Sequence, residues 1–194
     1  MTLIKHLLPF IALIVSQTSL AATYEVDAAH SFVRFEVKHL GIATVDGKFK
    51  QFSGSFSFDE KNVKNSAGTA TVQVKSIDTG IEARDNHLRA DDFFAAEKFP
   101  ESTFKTKKII PGEGGKFQVI GDLSIRNITK EVAFDATYLG KMKGMDGAQR
   151  AAFEASTTVN RFDFGLTWMK LVETVPVVGK DVKITIHIQA QIKK

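Results

Sequence analysis

The densest run of side chains able to do chemistry lies between residues 84 and 89, where Arg84, Asp85, His87 and Arg89 crowd together. Two arginines so close could hold phosphate or carboxylate oxygens through paired hydrogen bonds. Arg84 and Asp85 could equally cap a helix and tie it down, and the residues alone leave both readings open. His30, His39, His87 and His187 show neither His-x-His nor His-Glu-x-x-His spacing, so no metal centre is expected. An acid–base pair of His30 or His87 with Asp85 or Asp91 is the one enzymatic arrangement on offer. No nucleophile elbow accompanies it, and the chain reads as a non-enzyme without a cofactor. With no cysteine, a disulfide framework, a thiolate nucleophile and a Cys-based metal site are excluded. The net charge of +4 is spread among acids, which argues against a nucleic-acid partner.

The elements that must position these residues are strands. Period-two alternation recurs along the chain, as in Val33, Phe35, Val37 and His39, and in Phe52, Gly54, Phe56 and Phe58. Residues 69–77 and 102–109 are further candidates. Phe117 to Ile125, Val132 to Tyr138 and Ala151 to Val159 continue the series. Val182, Ile184, Ile186, Ile188, Ala190 and Ile192 end it. Turn residues separate neighbours at Pro111–Gly115, Arg126-Asn127 and Gly140–Gly147. The Asn127-Ile128-Thr129 glycosylation triplet is read as part of such a turn. One helical interruption is expected over 79–96, with Thr79 as its cap and Pro100 beyond its end. About eight consecutive amphipathic strands predict an all-β fold, an eight-stranded antiparallel barrel with a short helical insertion.

Residues 1–21 read as a cleaved signal peptide: Lys5 and His6, an apolar stretch from Leu7 to Val15, then Ser19-Leu20-Ala21 before the cut. The apolar stretch is too short to span a bilayer. Residues 22–194 then form one exported domain without stable membrane insertion, for which a periplasmic location is expected.

Five segments carry a resemblance: DAAHSFVRFEVKHLG (27–41), GKFKQFSGSFSFDEKN (47–62), SIDTGIEARDNHLRADDFFAAEKFPESTF (76–104), GDLSIRNITKEV (121–132) and NRFDFGLTW (160–168). In this order they resemble the YceI-like family of exported polyisoprenoid-binding, lipocalin-like barrel proteins. The resemblance implies a periplasmic carrier whose apolar channel holds an isoprenoid lipid of polyprenyl phosphate or quinone type, often as a homodimer. It also gives a reason for 16 Phe against 2 Tyr and 1 Trp: a hydrocarbon channel wants aromatic walls without hydroxyls. Expected wall residues are Phe32, Phe35, Phe49, Phe52, Phe93, Phe94, Phe99 and Trp168. Expected head-group residues are His30, His39, Arg84, His87 and Arg89. Arg161 and Asp163 are read as an ion pair, and the apolar stretch 166–179 as a lid or a dimer contact. The alternatives are a filled barrel docking a membrane redox partner, and a lipid-modifying enzyme.

Overall fold

The computed structural model describes residues 22–193, so the expected signal peptide lies outside the described residues. The strands are β1 (Ala22–Val26), β2 (Phe32–His39), β3 (Ala43–Phe49), β4 (Phe52–Phe58), β5 (Ala67–Gln73) and β6 (Ile77–Asp78). Helix α1 (Glu82–Arg89) follows, then β7 (Glu101–Pro111), β8 (Lys116–Ile125), β9 (Ile128–Lys143) and β10 (Gln149–Asn160). A small hairpin, β11 (Leu171–Val172) and β12 (Val175–Pro176), precedes β13 (Val178–Ile192). Three pairs form single kinked staves: β1 with β2, β3 with β4, and β5 with β6. Counted so, eight antiparallel staves close into a barrel, because β13 pairs β10 on one side and both β1 and β2 on the other.

The kinks are built by local polar side chains. Asp27 Oδ1 accepts the amide of Ala29 at 3.1 Å and caps the turn between β1 and β2. Ser76 Oγ accepts the amide of Gln51 at 3.0 Å and donates to Gln73 O at 2.6 Å, joining the other two kinks. Above them β6 pairs only with β3, and the insertion carrying α1 occupies the gap before β7.

This helix is shorter than the periodicity predicts, and Thr79 does not cap it. Buried Asp85 instead reaches back to the Thr79 amide at 2.9 Å and to its hydroxyl. After Arg89 the chain continues as turns that bury Phe93, Ala95 and Ala96. β9 also runs past Gly140, where the sequence predicts a turn. Gly140 adopts a φ of 127° at a register shift, so the strand continues through a bulge. At the β8–β9 connection Arg126 and Asn127 take φ values of 51° and 59°, as a two-residue type I′ hairpin requires. Arg126 holds this unfavourable backbone through its guanidinium, which donates to Phe93 O and Gly165 O.

Two expected outcomes follow from local contacts. A Cβ on Gly47 would lie 2.4 Å from Phe35 Cζ and 2.8 Å from the Thr79 methyl. Gly47→Ala should therefore lower stability by about 1–3 kcal/mol, read as an earlier urea midpoint. At the opposite end Asp59 accepts the amides of Asn62 and Lys61, each at 3.0 Å, and the Asn65 side chain at 3.2 Å. These bonds, that of Asn62 foremost, hold its carboxyl below the usual carboxylate range. Stability from a depressed pKa is present above the unfolded value of about 3.9 and is lost as pH falls through the folded value. Asp59→Asn should bring the urea midpoints at neutral pH and at about pH 3 closer together than in the wild type.

Candidate functional site

Inside the barrel lies a cavity of about 360 Å³, at the small end of the range for ligand pockets. A buried cluster lies toward each end. At the far end Tyr24, Phe58, Ile109 and Phe117 pack together with small residues including Ala190. At the insertion end the cluster is Phe93, Leu123, Val159, Phe164 and Leu166. Between them the inward side chains are not packed to closure. Phe35, Phe52, Ile184, Ile186 and Ile188 stay half-buried, and Ala70 is exposed although it lies on the inner face.

The open space follows from a pairing of large with small residues. Phe35 lies opposite Gly47 on the next strand, and Phe104 reaches diagonally to Gly121, where a Cβ would meet its ring at 2.5 Å. With no side chain on the neighbouring strand, each ring lies along the wall instead of standing into the lumen. Phe56 pairs with Gly68, and Gly54 with Ala70, so one side of the wall is thin.

Three of the polar side chains in the lining are buried, Ser66, Ser102 and Arg161, and Ser66 Oγ accepts the Asp59 amide at 2.9 Å. Ser102 lines the cavity from β7, and its Oγ is buried without a hydrogen-bond partner. Arg161, which follows β10, lines it from the insertion end and is only 5% exposed. Its Nε donates to Gly179 O at 2.9 Å, its Nη1 to Leu166 O, and its Nη2 to Val178 O at 3.2 Å. Its guanidinium also lies 4.4 Å from the centroid of the Phe162 ring. Burial pushes its pKa down. The expected ion pair with Asp163 does not form: Asp163 is exposed, and no carboxylate bridges Arg161 among the described residues. The turn from Arg161 to Phe164 points the two side chains apart, leaving backbone carbonyls as the arginine's partners.

Of the expected wall residues, Phe35, Phe49, Phe52, Phe93 and Phe94 line the cavity. Phe32 is one position out of phase with Val33 and Phe35, so it lies on the outer face, stacked on His187 at 4.4 Å beneath Arg34. Phe99 sits beyond the insertion, 5.8 Å from the Arg126 guanidinium. Trp168 stacks on Phe93 at 5.2 Å and forms a second layer behind the wall.

The expected head-group residues are not gathered at the cavity. Arg84 donates to Thr79 Oγ1 and O, and Arg89 to Lys75 O, Asn86 Oδ1 and Ile77 O. Both guanidiniums thus anchor the insertion to the barrel. His87 lies 2.9 Å from Asp92, edge-on to Phe93 and Trp168. His30 pairs with Asp27 at 2.8 Å at the first kink. His39 ends β2 opposite Ala43 and Val178, half-buried. In the stretch 166–179, Leu166 is buried and Trp168 packed, whereas Met169 is exposed just before the β11–β12 hairpin and Leu171, Val172 and Val175 on it.

Sequence reasoning missed Arg161 and Ser102 as cavity groups, and Phe56, Phe104, Phe134, Phe153 and Phe164 among the lining. The glycines at inward positions were the available signal for the phenylalanines. Nothing local marks Ser102.

The YceI-like domain family matches residues 24–190. A UPF0312 protein of Photorhabdus laumondii is 40% identical over 151 residues, covering 77% of this chain and 78% of that protein. The Protein YceI of Salmonella arizonae is 36% identical over 168 residues, covering 84% and 87%. Among solved structures, Burkholderia cenocepacia BcnA superposes with a TM-score of 0.76 at 26% identity, over 84% of this chain and 98% of BcnA. A polyisoprenoid binding domain from Saccharophagus degradans aligns with a TM-score of 0.62 at 15% identity, over 90% of this chain and 100% of that domain, and shows the fold alone.

Proposed function

Since this chain belongs to the YceI-like family, we propose that it is a carrier that holds a long isoprenoid or similar lipid chain inside its barrel. The observation that carries this reading is the apolar cavity of about 360 Å³ between two buried clusters, bounded by phenylalanines that lie along the wall. Moving a hydrocarbon chain from water into such a space yields about 0.8 kcal/mol per methylene. The histidines proposed for acid–base chemistry do not line the cavity, which favours binding over turnover. The export signal read in residues 1–21 supports a periplasmic location for the carrier. No helix among the described residues is long and apolar enough to cross a membrane. The lipid would be of polyprenyl phosphate or quinone type, and the exposed β11–β12 hairpin offers a surface for a second copy.

The test is mass spectrometry of the organic extract of natively purified protein, followed by delipidation and reloading from membranes. An isoprenoid lipid in near-stoichiometric amount is the expected result. An extract with no lipid, and no reloading, would remove this function.

A further inference from the structure

Two neighbouring turns at the insertion end put aliphatic side chains into water. Ile42, between β2 and β3, is 85% exposed, and Met169, Leu171, Val172 and Val175 are exposed on the excursion between β10 and β13. The Leu40 amide donates to Val177 O at 3.1 Å, and Val175 Cγ1 lies 3.7 Å from where a Cβ on Gly41 would stand. The five aliphatic chains therefore belong to one patch, and a contiguous exposed apolar patch marks a surface that meets a partner or a membrane. The roots of both turns reach the cavity. Val37, Leu166 and Val178 line it, and Trp168, next to Met169, stacks on the lining ring of Phe93. Arg161 binds the carbonyls of Leu166, Val178 and Gly179, so the excursion starts and ends at the cavity wall. Lysines flank the patch. Lys38, Lys170 and Lys180 are exposed, and none is in an ion pair among the described residues. Between Met169 and Lys180 the only acid is Glu173; Asp181 follows within β13, opposite Asn160.

We propose that this patch docks the barrel on an anionic bilayer surface, from which the lipid passes into the cavity. This rests on the carrier reading above and adds to it the face at which loading takes place. A long apolar chain that leaves a bilayer through water exposes every methylene on the way. With the aliphatic tips in the head-group layer and their roots at the cavity wall, the chain moves between two apolar media along an apolar path. Such tips, without a transmembrane segment, give reversible attachment, and the flanking lysines add attraction to anionic head groups. In solution the same tips offer a surface to a second copy, and bilayer and copy exclude each other there.

The test floats delipidated full-length mature protein with vesicles of phosphatidylcholine, alone or with about 25% phosphatidylglycerol, doped with a long-chain ubiquinone or a polyprenyl phosphate. The wild type should bind the anionic vesicles at least tenfold more tightly than a variant carrying Ile42→Ser, Leu171→Ser and Val172→Ser. It should also fill from them at least tenfold faster, while both proteins reach the same occupancy when the lipid is offered in detergent. Lys170→Glu with Lys180→Glu should weaken binding severalfold on the anionic vesicles only. All five side chains are exposed, so the thermal midpoint should not move. Equal vesicle binding by the wild type and the triple variant would overturn the proposal, as would no binding by the wild type. A triple variant that loses a dimer in sedimentation yet keeps its vesicle binding and filling rate would assign the patch to a second copy, which also overturns it. Tip-dependent binding with neither lipid taken up, from vesicles or from detergent, would leave the docking face standing and remove the carrier reading instead.

Discussion

Ala70→Phe combined with Ala155→Phe should reduce the lipid recovered with the protein at least tenfold while leaving its thermal midpoint unchanged or raised. Both alanines line the cavity, from β5 and from β10. Ala70 is exposed on the inner face of the barrel, so a benzyl group there grows into space and not into a packed neighbour. Its neighbours Gly54 and Phe104 leave the lumen as the open direction. Enlarging a residue in a close-packed core usually costs about 1–3 kcal/mol. Filling a void restores dispersion contacts, so no comparable loss is expected here. Two added rings in a cavity of about 360 Å³ remove much of the room for a chain. Mass spectrometry of lipid per protein, set beside calorimetric melting, reads both effects. Normal lipid content in a folded double variant would mean that the ligand lies elsewhere.

Arg161→Met should lower the unfolding free energy by about 3 kcal/mol, from carbonyls left partly unsatisfied at about 1–3 kcal/mol each. The bonded carbonyls belong to Leu166, Val178 and Gly179, the two ends of the excursion that carries the β11–β12 hairpin. Loss of the guanidinium therefore frees that excursion as well as destabilising the barrel. Limited proteolysis should cut between Met169 and Thr174 well before the rest of the chain. Arg161→Lys should recover only part of the stability, because an ammonium cannot address three carbonyls from one plane. A urea midpoint equal to the wild type, with unchanged cleavage, would show that Arg161 does not hold this end of the barrel.

Much of the barrel was legible in the residues because a strand's side chains alternate with period two and each staff needs one apolar face. Val182 to Ile192 reads as one strand and is one, within β13. The export signal has no counterpart in the described residues. The kinks were not legible, since they depend on a serine and an aspartate whose partners lie on other strands or across a turn. Ser76 meets Gln51 from twenty-five residues away. The helix was read too long because the helical spacing over 79–96 comes from two sources. Of Ile81, Arg84, Leu88 and Asp91, which recur at helical spacing, only Arg84 and Leu88 belong to α1, whereas Asp91 lies in the turns that carry Phe93 onto the insertion-end cluster.

The candidate site divides in the same way. Composition and alternation determined that this chain builds an apolar barrel rich in phenylalanine, because burial of apolar surface and the pleat are encoded locally. Which face turns inward, and whether the rings fill the interior or line it, was decided only when the strands met. Phe35 lies along the wall because Gly47 stands opposite it, and that pairing depends on register. The arginines followed the same logic. Arg84 and Arg89 looked like ligand groups by spacing but spend their donors on nearby carbonyls and side chains. Arg161 looked like half of an ion pair, yet closure of the barrel placed its buried charge at the cavity, for charge balance is a property of a three-dimensional neighbourhood and not of a segment.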